Sequence, residues 1–236
     1  IRQLSPTVVT ATRVEENSFD LPLSIDVVEQ KDIRDGQSGQ SLSESLIRVP
    51  GISAQNRNQM AQDTQIQTRG FGARSAFGVR GIRLYVDGIS ITNPDGIGNP
   101  GNVDLNMLKS IEVMRGPFSS LYGSSSGGVI QLRTEDAPKS PEVNFDFKLG
   151  SYNTTEEALK FSGTQNGIQY IINSGAYNTS GFRDHSALHK DQSTAKIKFD
   201  LQNDTRVMVL ADFMNLRAQD PLGLKRTGNY PTGSTN

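Results

Sequence analysis

Five arginines stand between Gln55 and Arg83, at positions 57, 69, 74, 80 and 83, against a single acid, Asp63. Guanidinium groups present planar forks that bind carboxylates and phosphates through paired, charge-assisted hydrogen bonds, so this surplus suits a small polyanion. Phe71 and Phe77 fall among the arginines and offer faces on which a flat ring can stack. The rest of the chain is poor in groups that make and break bonds. It has 2 His and no Cys. The run "GSSSGG" at 123–128 is loop-like, but it has no Lys-Ser/Thr ending to make a phosphate loop. His185 and His189 have the i, i+4 spacing that binds zinc or copper on a helix, yet they lie in a segment that reads as a long loop and the 5 Met are scattered. A hydrolase needs a nucleophile–base pair or two carboxylates in a cleft, and neither is visible. The expectation is a binding protein with no cofactor and no metal of its own.

The composition bounds the alternatives. A formal charge of −1 argues against a nucleic-acid binder. No run reaches the ~18 apolar residues that a transmembrane helix needs, although membrane-spanning strands carry a weaker, alternating signal. The chain opens at Ile1 without Met or an apolar leader, so any signal peptide is expected to have been removed.

Two regimes meet near "TEDAPKSPE", residues 134–142. Upstream, strand and helix signals interleave as an α/β unit of roughly 130 residues. Ser41 and Glu44 have capping-box spacing, Leu42, Leu46 and Ile47 line one helix face, and Pro50–Gly51 ends it. "TQIQTRG" and "IRLYVDG" read as short strands ending at glycine turns, and "VDLNML" as a helical turn before the strand "KSIEVMRG". "IEVMRGPFSSLYGSSSGGVIQLRTE" reads as strand, tight turn, small-residue loop and strand.

Downstream the pattern is nearly pure alternation. Val143, Phe145, Phe147 and Leu149 are separated by Asn144, Asp146 and Lys148. Ala195, Ile197, Phe199 and Leu201 face one way, as do Val207, Val209, Ala211 and Phe213. With "LKFSG" and "IQYIINSGAY" there are five candidate strands. "TQNG" and "QND" make tight turns, and "NTSGFRDHSALHKDQ" makes a long loop. Strands of about ten residues with alternating turn lengths fit a transmembrane barrel, and periodicity alone fits a half-solvated sandwich sheet equally. The barrel reading requires further strands beyond residue 236.

"VVTATR", "LSESLIRVPGI", "IQTRGFG", "LYVDGI" and "IEVMRGPFSSLYGSSSGGVI" occur here in the order and spacing of the TonB-dependent outer-membrane receptors, which the whole chain resembles. The resemblance implies an α/β plug domain inside a transmembrane antiparallel β-barrel of about 22 strands when complete. Residues 1–13 would be a TonB-box-like tail facing the periplasm, 14–136 the plug, and 137–236 the first barrel strands. Thr7, Val8, Val9, Thr10 and Ala11 resemble a TonB box, an extended β-branched segment able to add as a strand to the sheet edge of TonB. TonB, with its inner-membrane energising complex, would then supply the energy, and the chain needs no nucleotide site. Arg69 and Arg115 look like the pair that docks on barrel glutamates and holds the plug, since Arg115 has no local acid except Glu112. A passive pore would need neither plug nor tail, and a signalling transducer would carry an extra N-terminal domain.

The stretch from "QNRNQMAQD" to "ITNPDG" and the downstream "GFRDHSALHK" are similar to the subgroup that takes up pyrroloquinoline quinone, a flat tricarboxylate. On that resemblance Arg57, Arg74, Phe77 and Arg80 are the expected ligand contacts, with Asn58 and Asp95 shaping the loops. A ferric siderophore, bringing iron as cargo, is the alternative. Outer-membrane lipid and a phage or bacteriocin complete the expected partners.

Overall fold

The computed structural model describes residues 8–9, 16–17, 24–55, 61–62, 64–75, 78–116, 119–123, 125–201, 205–222, 226–227 and 230–231. They fall into two units, Ile1–Asn56 with Asp63–Glu135, and Arg57–Gln62 with Asp136–Asn236. The division after Glu135 lies at the composition change.

The first unit begins with a two-residue ladder between β1 (Val8–Val9) and β2 (Glu16–Asn17), register Val8 opposite Asn17. β3 (Ile25–Glu29), α1 (Gln30–Arg34) and α2 (Leu42–Leu46) follow. Next come β4 (Ile52–Gln55), β5 (Gln65–Thr68), β6 (Val79–Arg80), β7 (Ile82–Val86), β8 (Ile89–Ser90) and β9 (Ile97–Gly98). β10 (Leu108–Met114), α3 (Ser119–Tyr122) and β11 (Gly128–Thr134) close the unit. Its central sheet runs β3-β10-β11-β7-β8, and only β11 and β7 are parallel.

Strand alternation gives this sheet two different faces. Val28, Ile111, Leu132 and Val86 share a row, as do Val113, Ile130 and Leu84, and all seven are buried. On the opposite face Met114, Val129 and Tyr122 form a second cluster, edged by Ile25, Val27 and Tyr85. On that face Gln131 donates to the Tyr122 hydroxyl at 2.7 Å. Gly128, at φ 120°, sits so close to β10 that a Cβ would lie 2.2 Å from the Met114 carbonyl oxygen, which excludes every other residue. Asp87 and Gly88 both take positive φ and make the hairpin turn between β7 and β8. The Asp87 carboxylate then accepts the Thr134 N–H at 2.9 Å and the Thr134 hydroxyl at 2.5 Å, fixing the turn to β11.

Helix α2 starts at the capping box the spacing predicts. Ser41 Oγ accepts from Ser43 N–H, and Glu44 accepts the Ser41 N–H at 3.2 Å. Leu42 and Leu46 are buried, but Ile47 is the C-cap and lies exposed, so it does not share their face. α1 and α3 are additions to the expected elements. "VDLNML" does make a helical turn, a 3-10 turn over Leu105–Met107.

The second unit is a meander of β12 (Glu142–Gly150), β13 (Thr154–Gln165), β14 (Ile168–Thr179), β15 (Leu188–Asp200) and β16 (Arg206–Ala218). A short ladder of β17 (Arg226–Thr227) and β18 (Tyr230–Pro231) follows. "TQNG" forms the tight hairpin, with Asn166 and Gly167 both at positive φ. The long loop is shorter than the sequence implies, because β15 already begins at Leu188. His189 is therefore a strand residue, hydrogen-bonded to Asn178 at 2.5 Å and Asp191 at 2.9 Å, while His185 stays in the loop.

This sheet is inverted relative to a water-soluble one. Val143, Phe145, Phe161, Ile172, Val209 and Phe213 share its exposed face, and Phe145 and Phe213 remain 66% and 65% accessible. The other face buries Glu156, Lys160, Asn173, Lys190, Thr194 and Lys196. Cross-strand pairs lace that polar face: Lys148 reaches Glu156 at 3.2 Å, and Thr194 donates to Asp212 at 2.6 Å. A buried apolar side chain contributes roughly 1.5–3 kcal/mol, so a whole face of them left in water would forgo most of what a sheet gains by folding. The face therefore calls for an apolar covering that water does not supply. The apolar band also shifts across the sheet. On β12 it is centred at Asp146, whose row passes through Ala158, Gly175, Gln192 and Met214, whereas on β16 its centre is Leu210.

Candidate functional site

The "RG" and "RGP" arginines meet at one place, the Pro50–Gly51 turn that ends α2. Thr68 and Phe71 exchange two backbone hydrogen bonds, of 3.0 and 2.8 Å, with Arg69 (φ 48°) and Gly70 (φ 87°) as the turn between them. The Arg69 N–H donates to the Gly51 carbonyl at 3.2 Å while its side chain is exposed. Arg115, one residue beyond β10, donates from Nη1 to the Pro50 carbonyl at 2.6 Å. Its other terminal nitrogen forms an ion pair with Asp26 of β3. The Arg115 N–H also donates to the Ser24 carbonyl at 3.1 Å. Arg115 is only 15% exposed, so the pair is largely shielded from water and salt. Sequence reasoning gave Arg115 no acid but Glu112; the acid is Asp26, brought near by the register that sets it opposite Val113.

A matching anchor holds the opposite end of β3. Arg34 and Gln30 of α1 both reach the Glu135 carboxylate, Gln30 at 2.5 Å, and Arg34 also donates to the Asn106 carbonyl. β3 is an edge strand, paired only with β10 among the described residues, and an ionic contact stands at each of its ends.

The expected ligand residues divide between described and undescribed segments. Arg57, Asn58 and Phe77 lie outside the described residues, as do Thr7, Thr10 and Ala11 of the tail. Val8 and Val9 are in the β1–β2 ladder. Arg74 and Arg80 are exposed, whereas Arg83 is half-buried on β7. β6 pairs with β9 with Arg80 opposite Ile97, and Asp95 Oδ1 accepts the Ile97 N–H at 2.9 Å. The Asn93–Gly96 turn (Gly96 N–H to Asn93 O, 2.9 Å) thus carries Asp95 as a loop-forming residue next to Arg80. Arg74 belongs to the turn between β5 and β6, closed by the Ser75 N–H to Gly72 O bond of 3.0 Å. Gln62, at the end of the undescribed 56–60 stretch, donates to Asp220 at 2.8 Å, just past β16. Among the described residues no group of three or more His, Asp or Glu is arranged to hold a metal ion.

Comparison with known proteins follows the same division. The family model described as TonB-dependent Receptor Plug Domain matches residues 17–130. The chain is 35% identical to a hemin receptor of Yersinia enterocolitica over 132 residues, 55% of this chain and 18% of that protein. It is 28% identical to the vitamin B12 transporter BtuB of Vibrio vulnificus over 179 residues, 74% of this chain and 28% of that protein. Among solved structures it superposes on the pyoverdine outer membrane receptor FpvA of Pseudomonas aeruginosa PAO1, bound to pyoverdine, with a TM-score of 0.74. That match has 22% identity and covers 89% of this chain and 30% of FpvA. The chain therefore spans less than a third of the length of each of these proteins.

Proposed function

We propose, since residues 17–130 are a TonB-dependent receptor plug domain and the chain is homologous to TonB-dependent receptors, that the whole protein is an outer-membrane receptor taking up a scarce small ligand. The observation that carries this reading is the succession of two sheets. One buries its apolar faces in a plug fold, and the next turns its apolar face outward as lipid-facing barrel strands do. The N-terminal tail, Thr7–Ala11, engages TonB in the periplasm by strand addition, and the β1–β2 ladder gives way when it does. Arg69, the exposed member of the arginine pair, docks on a barrel carboxylate, and Arg115 shares that role while held by Asp26.

The ligand is a small polyanion, and pyrroloquinoline quinone fits the loop chemistry: Arg57, Arg74 and Arg80 for its carboxylates and Phe77 for its plane. Support comes from the exposed Arg80 beside the Asp95 turn, with Arg74 on the turn that leads into β6. A ferric siderophore is the second reading, favoured by the pyoverdine-bound structure on which the chain superposes. Titration calorimetry of the complete receptor in detergent, with each ligand in turn, separates the two. Tight binding of pyrroloquinoline quinone, weakened roughly 10- to 100-fold by Arg80→Ala, is the expected result. Binding of a ferric siderophore instead, unaffected by Arg80→Ala, would replace the ligand and its contacts while leaving the uptake class in place.

A further inference from the structure

The geometry points to Arg115 as a coupling residue: we propose that it ties the strand nearest the tail, β3, to the strand that leads into the candidate ligand loop, β4, so that freeing one loosens the other. Its physiological meaning rests on the uptake reading above, but the coupling itself stands on contacts within the first unit. Three segments distant in sequence end on this one side chain and its own N–H. Ser24 and Asp26, where the tail enters the sheet, take its N–H and one guanidinium nitrogen. Pro50, one residue from the turn into β4, takes the other nitrogen. The third segment is β10, which carries Arg115 at its C-terminal end.

The turn is built to receive this contact. Gly51 has φ 78° and open space where a Cβ would lie, except for Arg115 Nη1 at 3.5 Å. The Gly51 carbonyl takes the Arg69 N–H, so the same two residues, Pro50 and Gly51, anchor the end of β5 as well. β4 then runs directly into residues 56–60 and on to Gln62. A pull on the tail meets the Ser24 contact first, and the Asp26 contact at the second residue of the β3–β10 ladder. Among the described residues, their loss leaves the guanidinium with the Pro50 carbonyl alone. Arginine suits the position because a planar fork can hold a carboxylate and a carbonyl at once, whereas an ammonium is a point charge that serves one of them well.

Amide hydrogen exchange on the complete receptor tests this with no ligand present, so its outcome is separate from that of the uptake reading. Asp26→Asn should accelerate exchange at Ile52–Gln55 about tenfold or more, although the ion pair of Asp26 is with Arg115 and not with β4. Coupling is reciprocal, so Gly51→Ala should accelerate exchange at Ile25–Val28. Arg115→Lys should keep β3 near its wild-type rate through the charge on Asp26 while loosening β4. Glu135→Gln, which cuts the anchor at the other end of β3, should loosen α1 and leave β4 unchanged. Exchange at β4 that stays at the wild-type rate in Asp26→Asn would overturn the proposal. So would equal loosening of β4 by Glu135→Gln, because the effect would then be general destabilisation.

Discussion

The two five-stranded sheets of this chain use the same period-two alphabet and send it in opposite directions. In the first, Leu84, Ile111, Ile130 and Leu132 are fully buried, and specific charged pairs such as Asp26–Arg115 and Arg34–Glu135 stand near the sheet's ends. In the second, phenylalanines stand exposed while Lys160, Lys190 and Lys196 are buried. Alternation therefore fixes which residues share a face but not which face meets water. That assignment needs something nonlocal, here the buried polar rows and the fold match, and it is what separates a barrel wall from a solvated sandwich sheet.

Substitutions that exchange the two environments should break the comparison most sharply. Leu84→Ala in the first sheet is expected to cost about 2–5 kcal/mol of stability, read from denaturant unfolding of the complete receptor. Val209→Arg, near the middle of the outward band, should cost about 2–4 kcal/mol when folding is measured in lipid vesicles, whereas Asn215→Arg, on the same face but above the band, should cost no more than about 1. Equal penalties at 209 and 215 would mean that the band does not face lipid. Asp87→Ala removes both bonds to Thr134 and should cost about 1–3 kcal/mol, with the loss confined to the β7–β11 end of the first sheet in exchange measurements. Ser41→Ala, loss of an N-cap, should lower stability by about 1 kcal/mol. The exposed Arg48–Asp32 pair, 47% and 53% accessible, should be worth less than about 1 kcal/mol, and its loss should leave the melting temperature nearly unchanged.

Features set by neighbours in sequence were readable in advance. Ser41 and Glu44 cap a helix because both groups lie within one turn, and Asn166–Gly167 reverses the chain because those residues tolerate positive φ. The rows Val143 to Leu149 and Val207 to Phe213 follow from side chains that alternate. What was hidden depends on register. Nothing near Arg115 in the chain announces Asp26 or the Pro50 carbonyl, and α3 hides in a serine-rich segment that reads as loop. His189 reads as a loop residue until β15 is seen to continue through it. At the candidate site, the role of Asp95 in its turn follows from an Asx contact two residues away, but its nearness to Arg80 depends on the β6–β9 pairing.

The drift of the apolar band has a geometric meaning. The row through the β12 band centre reaches β16 at Met214, four residues from that strand's own centre at Leu210, so between these two strands the band slips by one residue per step on average. A residue advances about 3.4 Å along a strand and neighbouring strands lie about 4.8 Å apart, so a band level with the bilayer requires strands inclined by roughly 35° to its normal. That inclination falls within the range of closed transmembrane barrels, about 35–45°. The apolar band thus runs diagonally across the register between β12 and β16.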